Sequence, residues 1–173
     1  MATSKTRWLS TPQQRAWRAY LLGTTQLMAQ LDRDLSVQHN LSLPEYEIMV
    51  RLSETADRRM RMAELADSLN HSRSRLTHTV TRMEAEGLVT RCSADTDRRG
   101  VYAELTEAGW KRLKDAAPTH VEGVRQYLVD AVDPDDLEAV GRAFKAVADA
   151  LGDGKAWPLG TAAPTPRTGR AGR

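Results

Sequence analysis

Apolar residues in the middle of this chain change their spacing once, and they do so at a glycine. Leu76, Val80 and Met83 stand four and three apart, the stripe of one helical face. Beyond Gly87 the period becomes two. LVTRCS (88–93) and VYAELT (101–106) alternate as short strands, and the polar ADTDRRG between them suits a hairpin tip. Gly87 fits a helix end, where the chain often turns into the left-handed region that glycine adopts freely. At the other end of this helix, SRSRLTHTVTRMEAEG, Ser72 stands as N-cap. Before it lie the turn Asn70-His71 and a short helix of about Met62 to Leu69, with Leu65 and Leu69 inward. Helix, short turn, Ser-capped helix and two-stranded hairpin together make a helix-turn-helix followed by a wing.

The flanks are helical. Residues 12–38 read as one helix, with Thr11 as N-cap, Pro12 at its start and Gln14 in the first turn. Its length of roughly 40 Å, at about 1.5 Å per residue, is long for a small domain and calls for a second chain. A second helix follows Leu43-Pro44, carries Tyr46, Ile48, Met49 and Leu52, and stops near Ala56-Asp57. After the hairpin, Trp110, Leu113, Ala117, Val121, Val124 and Leu128 form one stripe and Leu137, Val140, Phe144, Val147 and Leu151 another. The expected fold is mainly α with a small β wing: a winged helix-turn-helix with N- and C-terminal dimerisation helices. Residues 1–11 are expected to be a flexible N-terminus and 12–151 the folded domain. Within it, 12–42 and 107–151 serve dimerisation and 43–106 form a DNA-binding lobe. Residues 152–173, rich in Gly, Pro, Thr, Ala and Arg, are expected to be a disordered tail.

The formal net charge of +2 conceals a segregation. Residues 58–99 hold nine Arg and no Lys against six acidic residues, while 40–57 and 100–151 are net acidic. Clustered Arg is the footprint of phosphate contact. The first turn of the Ser-capped helix presents Ser72, Arg73, Ser74 and Arg75, where a helix in the major groove reaches base edges. Thr77, His78, Thr81 and Arg82 continue along its polar side, and the hairpin tip offers Asp97, Arg98 and Arg99. Arg forms bidentate bonds to guanine, hydroxyls suit phosphates or bases, and a narrow minor groove attracts an inserted Arg. Taken singly, SRSR can be a cap with surface charge and DRRG only a turn. Their spacing in one chain favours double-stranded DNA as partner.

The segment MRMAELADSLNHSRSRLTHTVTRMEAEGLVTRCSADTDRRGVYAELTEAG closely resembles the multiple-antibiotic-resistance regulator (MarR) family. LADSLNHSRSRLTHTVTRMEAEGLV resembles its helix-turn-helix, Asp97-Arg98-Arg99 its Asp-x-Arg wing, and VYAELTEAG its exit from strand to helix. The resemblance implies a homodimer with interlocked first and last helices, with Arg99 in the minor groove and Asp97 bracing it. It also implies a repressor on a palindromic operator, relieved by a small aromatic or phenolic effector between the dimer helices and the DNA lobes. Candidate lining residues are Trp17, Arg18, Tyr20, His39, Tyr46 and His120. An aromatic ring beside an Arg can hold an aromatic carboxylate, although Trp and Tyr at helical spacing equally fit a core or dimer interface.

Other classes find little support. Cys92 is the sole cysteine, which permits no internal disulfide and fits a reducing cytoplasm. Its place in the first wing strand suits a small, half-buried residue. His39, His71, His78 and His120 are scattered, with no metal-ligand spacing, and no cofactor is expected. No apolar run approaches a membrane span and the N-terminus lacks a secretory stretch. An enzyme built on a winged-helix dimerisation domain, such as a small-molecule methyltransferase, would need a nucleotide-binding domain. The chain carries no GxGxxG or Walker loop for one. A winged helix that binds only protein would favour apolar residues where this one carries Arg.

Overall fold

The computed structural model of the protein describes residues 6–55, 57–93 and 100–151. The hairpin tip with Asp97, Arg98 and Arg99, and the 152–173 tail, lie outside the described residues. The elements are α1 (Thr11–His39), α2 (Leu43–Ser53), β1 (Arg59–Arg61), α3 (Met62–Ser68), α4 (Arg73–Ala85), β2 (Val89–Ser93), β3 (Val101–Leu105), α5 (Glu107–Val124) and α6 (Pro134–Leu151). A five-residue π turn, Arg125–Val129, extends α5 and closes with Asp130 N donating to Arg125 O.

The N-cap of α1 is Ser10 rather than Thr11. Ser10 Oγ accepts from Gln13 N, and the Gln13 side chain accepts in return from Ser10 N, a reciprocal capping box. Thr11 and Pro12 then fall inside the first turn, where proline's missing N–H costs nothing. Asn40, in the left-handed region at φ 48°, ends α1. The turn between α3 and α4 likewise places Asn70 at φ 51°, and Gly87 at φ 72° follows α4. Each lets the chain reverse where most side chains would clash with their own backbone.

The sheet is antiparallel in the order β1-β3-β2. Val89 pairs with Leu105 and Ser93 with Val101, so the hairpin expected at 88–106 is present one residue shorter at either side. β1 was not expected. Arg-Met-Arg is too short for its alternation to mark a strand, and only pairing with β3, from Arg59 opposite Glu104 to Arg61 opposite Tyr102, makes it one.

One apolar core joins the C-terminal part of α1 (Leu31, Leu35), α2 (Tyr46, Ile48, Met49, Leu52), α3 (Leu65, Ala66), α4 (Leu76, Val80, Met83), the hairpin (Leu88, Val89, Ala103, Leu105) and α5 (Leu113, Ala116). Each such side chain fully removed from water contributes about 1.5–3 kcal/mol for a Val, Leu, Ile or Met. The stripe foreseen on α5 is largely covered, with Trp110 and Val124 packed against the core and Leu128 half-buried. Leu113 is buried and Ala117 half-buried, but Val121 is exposed. α6 buries no residue at all, although its apolar spacing is regular.

Where β3 meets α5 the backbone is tightly packed. Thr106 caps α5 by accepting from Gly109 N, and its hydroxyl bonds the Leu88 carbonyl, which also accepts from Thr106 N. A Cβ on Gly109 would collide with that carbonyl oxygen and with Leu105 Cδ1. Gly109→Ala should therefore lower stability by about 1–3 kcal/mol, the usual range for forced overpacking. A shift of the urea midpoint to lower concentration with an unchanged slope is the expected result.

Candidate nucleic-acid interface

Helix α4 presents the candidate contact residues. Ser72 Oγ accepts from Arg75 N and starts the helix outside the core. Leu76, Thr79, Val80 and Met83 are buried, so the opposite face is turned to solvent. Arg73, Ser74, Arg75, Thr77 and His78 are all exposed on it. Within the lobe, Arg51 of α2 donates from Nη2 to Ser68 O at the end of α3 and approaches Glu54 at 3.8 Å. A buried cation on the Ser68 carbonyl ties the end of the first helix of the helix-turn-helix to α2.

The second half of α4 is bonded to its own lobe. Thr81 Oγ1 donates to Thr77 O and accepts from Arg91 Nη2 at 2.6 Å. Arg91, on β2, also bonds both oxygens of Glu84 through its Nε and backbone N. Arg82 places Nε 2.8 Å and Nη2 2.7 Å from Glu45 Oε1 on α2. Among the expected contact residues on α4, the structure thus brings Arg73 to His78 together on one free surface and ties Thr81 and Arg82 to the protein itself. Glu45 and Arg91 were missed in the sequence. The spacing Ser42-Leu43-Pro44-Glu45 is that of a capping box and could have flagged Glu45. Nothing local marks Arg91.

The wing base adds cations that sequence reasoning also passed over. Arg61 Nε donates to Tyr102 Oη at 3.0 Å, and the Arg59 and Arg61 guanidinium carbons lie 5.6 and 5.4 Å from the Tyr102 ring centre. Gly100 is buried beneath Arg61, whose Nη1 would stand 3.2 Å from any Cβ there. Cys92, half-buried, faces Glu104 at 3.8 Å across the same outer face.

The six candidate effector residues do not form one cavity in a single chain. Trp17 and Tyr20 stack at 5.5 Å on the exposed half of α1. His39 lies 22 residues beyond Trp17, about 33 Å along the helix at ~1.5 Å per residue. His39 Nε2 bonds Thr119 Oγ1, and its carbonyl accepts from Arg112. Tyr46 and His120 form a separate ring pair with centres 4.6 Å apart, joining α2 to α5. Arg18 is exposed on α1. A cavity of about 420 Å³ between α1 and α5 has other walls, among them Asp34, Gln38, Thr119, Glu122 and Tyr127. It carries two carboxylates and no cation.

Two imidazoles are disfavoured as cations. Burial lowers the pKa of His120, and burial together with the Arg75 charge lowers that of His71. The Nδ1 atoms of both are buried without a hydrogen-bond partner. No helix among the described residues is long and apolar enough to cross a membrane, and none of their His, Cys, Asp and Glu side chains group to hold a metal ion.

A Ser-capped, cation-bearing helix exposed beside a three-stranded wing defines a winged helix-turn-helix protein. Residues 39–100 match the MarR family model. The chain is similar to AbsC, a MarR family transcriptional regulator from Streptomyces coelicolor. They share 43% identity with a TM-score of 0.80, over 84% of this chain and 98% of AbsC. Sco3205 of the same organism, a MarR family transcriptional regulator solved in complex with DNA, is 37% identical. Its TM-score is 0.83, over 89% of this chain and 96% of Sco3205. The transcriptional repressor MprA of Escherichia coli is 26% identical over 96 residues, 54% of either chain. This chain belongs to the MarR family: it is a transcriptional regulator and not an enzyme.

The buried histidines have a measurable consequence. A folded-state pKa below the ordinary value of about 6.5 means that the unfolded chain binds more protons just below that pH. Stability should be full above pH ~6.5 and fall as the pH drops through the lowered values. His120→Phe should flatten the decline of melting temperature between pH 7 and 5, leaving the part that His71 contributes. An unchanged pH profile in the variant would show that His120 does not carry the effect.

Proposed function

We propose that the protein is a sequence-specific DNA-binding regulator that binds a palindromic operator as a homodimer in the cytoplasm and represses transcription until an effector relieves it. The observation that carries the DNA reading is the free face of α4, where Arg73, Ser74, Arg75, Thr77 and His78 are exposed beyond a Ser72 cap. The first turns of such a helix fit the major groove. Arg59 beside the wing adds to this cationic surface, and the family resemblance assigns Arg98 and Arg99 to the flanking backbone and minor groove with Asp97 as a brace. The likeness to Sco3205, solved with DNA, supports the same reading.

The dimer reading rests on unburied apolar surface. α6 exposes Val140, Phe144, Val147 and Leu151, and α1 exposes Trp17, Tyr20, Leu21 and Leu22. The Tyr20 and Phe144 rings lie 5.1 Å apart, so the two stripes meet as one patch. Apolar patches of this kind mark interfaces, and a second copy supplies the matching surface. Two recognition helices held about 34 Å apart then enter successive major grooves, which makes the operator palindromic. The resemblance to MprA, a repressor, supports the direction of control.

For the effector, the family resemblance points to an aromatic or phenolic anion, and of the candidates Trp17, Arg18, Tyr20, His39, Tyr46 and His120 it is the Tyr46–His120 pair, with His39 on the neighbouring Thr119, that stands beside the DNA lobe. Tyr46 and His120 join the DNA lobe to α5, so a ring inserted there shifts the lobe. A coupling of ~1–3 kcal/mol changes DNA affinity about 5- to 150-fold.

The dimer should sediment at twice the chain mass at micromolar concentration, and Phe144→Asp should shift it toward monomer and abolish operator binding. Fluorescence anisotropy on operator variants tests the interface itself. Arg73→Ala should lose about 1–3 kcal/mol of discrimination at one position per half-site. A loss uniform over all variants would make Arg73 a phosphate contact. Hydroxybenzoate-type compounds should release the operator, and a complex indifferent to all of them would remove the effector reading.

A further inference from the structure

Helix α4 carries Arg73, Arg75 and Arg82, but Arg82 is occupied. Both Nε and Nη2 converge on Glu45 Oε1, at 2.8 and 2.7 Å. The other oxygen, Oε2, accepts from Ser42 N at 2.9 Å and from Ser42 Oγ at 2.6 Å. Glu45 is the third residue of α2, and its side chain is only 7% exposed, whereas that of Arg82 is 52% exposed. Two residues before Glu45, Leu43 N donates to Asp32 Oδ1 of α1 at 2.8 Å. The start of α2 is therefore anchored to α1, and through Glu45 to the recognition helix.

We propose that Glu45 is a positioning and specificity-determining residue: it stands in for a DNA phosphate, holding Arg82 off the nucleic-acid backbone and tying α4 to the start of α2. This rests on the DNA-binding reading of the same helix and adds to it that one of its arginines is withheld.

The physical argument compares what Arg82 gains in either place. A phosphate in water-rich surroundings offers Arg82 a screened contact whose value falls with salt. Glu45 offers a charge-assisted pair to a carboxylate already buried and hydrogen-bonded. Transfer of Arg82 to DNA would leave that carboxylate buried with only Ser42 as partner, which is strongly unfavourable. Burial by itself would raise the Glu45 pKa, yet the Ser42 and Arg82 bonds bring it below the usual carboxylate value, so the group keeps its charge. A withheld arginine lowers affinity for any phosphate backbone without touching base readout. It thereby raises the ratio of specific to non-specific binding.

The test is the salt dependence of binding to operator and to non-specific duplex DNA, measured on the full chain. Glu45→Gln keeps an acceptor for Ser42 N, because glutamine also serves in a capping box, but it gives up the charge that holds Arg82. Its log K against log salt should steepen by about 0.9 per protomer, one phosphate's worth. Non-specific binding should tighten several-fold at low salt and the specificity ratio should fall. Glu45→Gln combined with Arg82→Ala should return the slope to the wild-type value, and Arg82→Ala alone should leave it there. An unchanged slope in Glu45→Gln overturns the proposal, as does a slope about 0.9 per protomer shallower in Arg82→Ala. Should Glu45→Gln not fold, the Arg82→Ala slope decides. Arg82→Gln, which retains a donor for Glu45, replaces it if the alanine variant melts below the working temperature. A wild-type protein with no salt-dependent DNA binding would instead sink the DNA reading itself.

Discussion

Burial of the Leu76, Val80 and Met83 stripe is the contact on which the remainder of the lobe depends. All three side chains are at most 1% exposed. Because they occupy one face of a 13-residue helix, their burial against α2, α3 and the hairpin leaves the other face no choice but solvent. The direction in which Arg73 and Arg75 point is thus a by-product of where the apolar residues go. Loss of one such side chain to alanine would cost about 2–5 kcal/mol and would also loosen the mount of the recognition surface.

Polar groups then fix what the apolar core only places. Arg51 secures the end of α3, Thr106 bonds the Leu88 carbonyl, Arg91 grips Glu84 and Thr81, and Glu45 grips Arg82. Each joins two different elements, and each gives a buried or half-buried donor or acceptor the partner it needs. A greasy contact tolerates sliding, whereas a short charge-assisted bond defines an angle. A helix that must meet base edges within a few tenths of an ångström requires the second kind of contact.

The outer half of α1 and the whole of α6 stand in contrast to this lobe. Their apolar stripes are as regular as that of α4, yet Trp17, Leu22, Phe144 and Leu151 are exposed. Periodicity reports that a face is to be covered and is silent on what covers it. The same limit applies to the six aromatic, His and Arg residues grouped as an effector site. Their spacing fits helical faces, but distance along α1 separates Trp17 and Tyr20 from the Tyr46–His120 pair.

The order of elements was legible from local chemistry. Ser72 and Gly87 bracket α4, the switch of period to two marks β2 and β3, and Pro134 opens α6. Caps, turns and periodicity act within a few residues, so a linear reading captures them. The family resemblance rests on the same local patterns and on the Asp-Arg-Arg of the tip. What the sequence alone could not determine lies in pairs distant along the chain. Arg-Met-Arg became a strand only beside β3, across an intervening stretch that holds α3, α4 and β2. Arg82 looked like one more cation on a DNA-facing helix until α2 brought Glu45 beside it, 37 residues away in sequence. The sequence by itself determined which residues carry charge and which faces are apolar. Tertiary structure decided which of those charges are free to meet a partner, because an ion pair depends on distance in space.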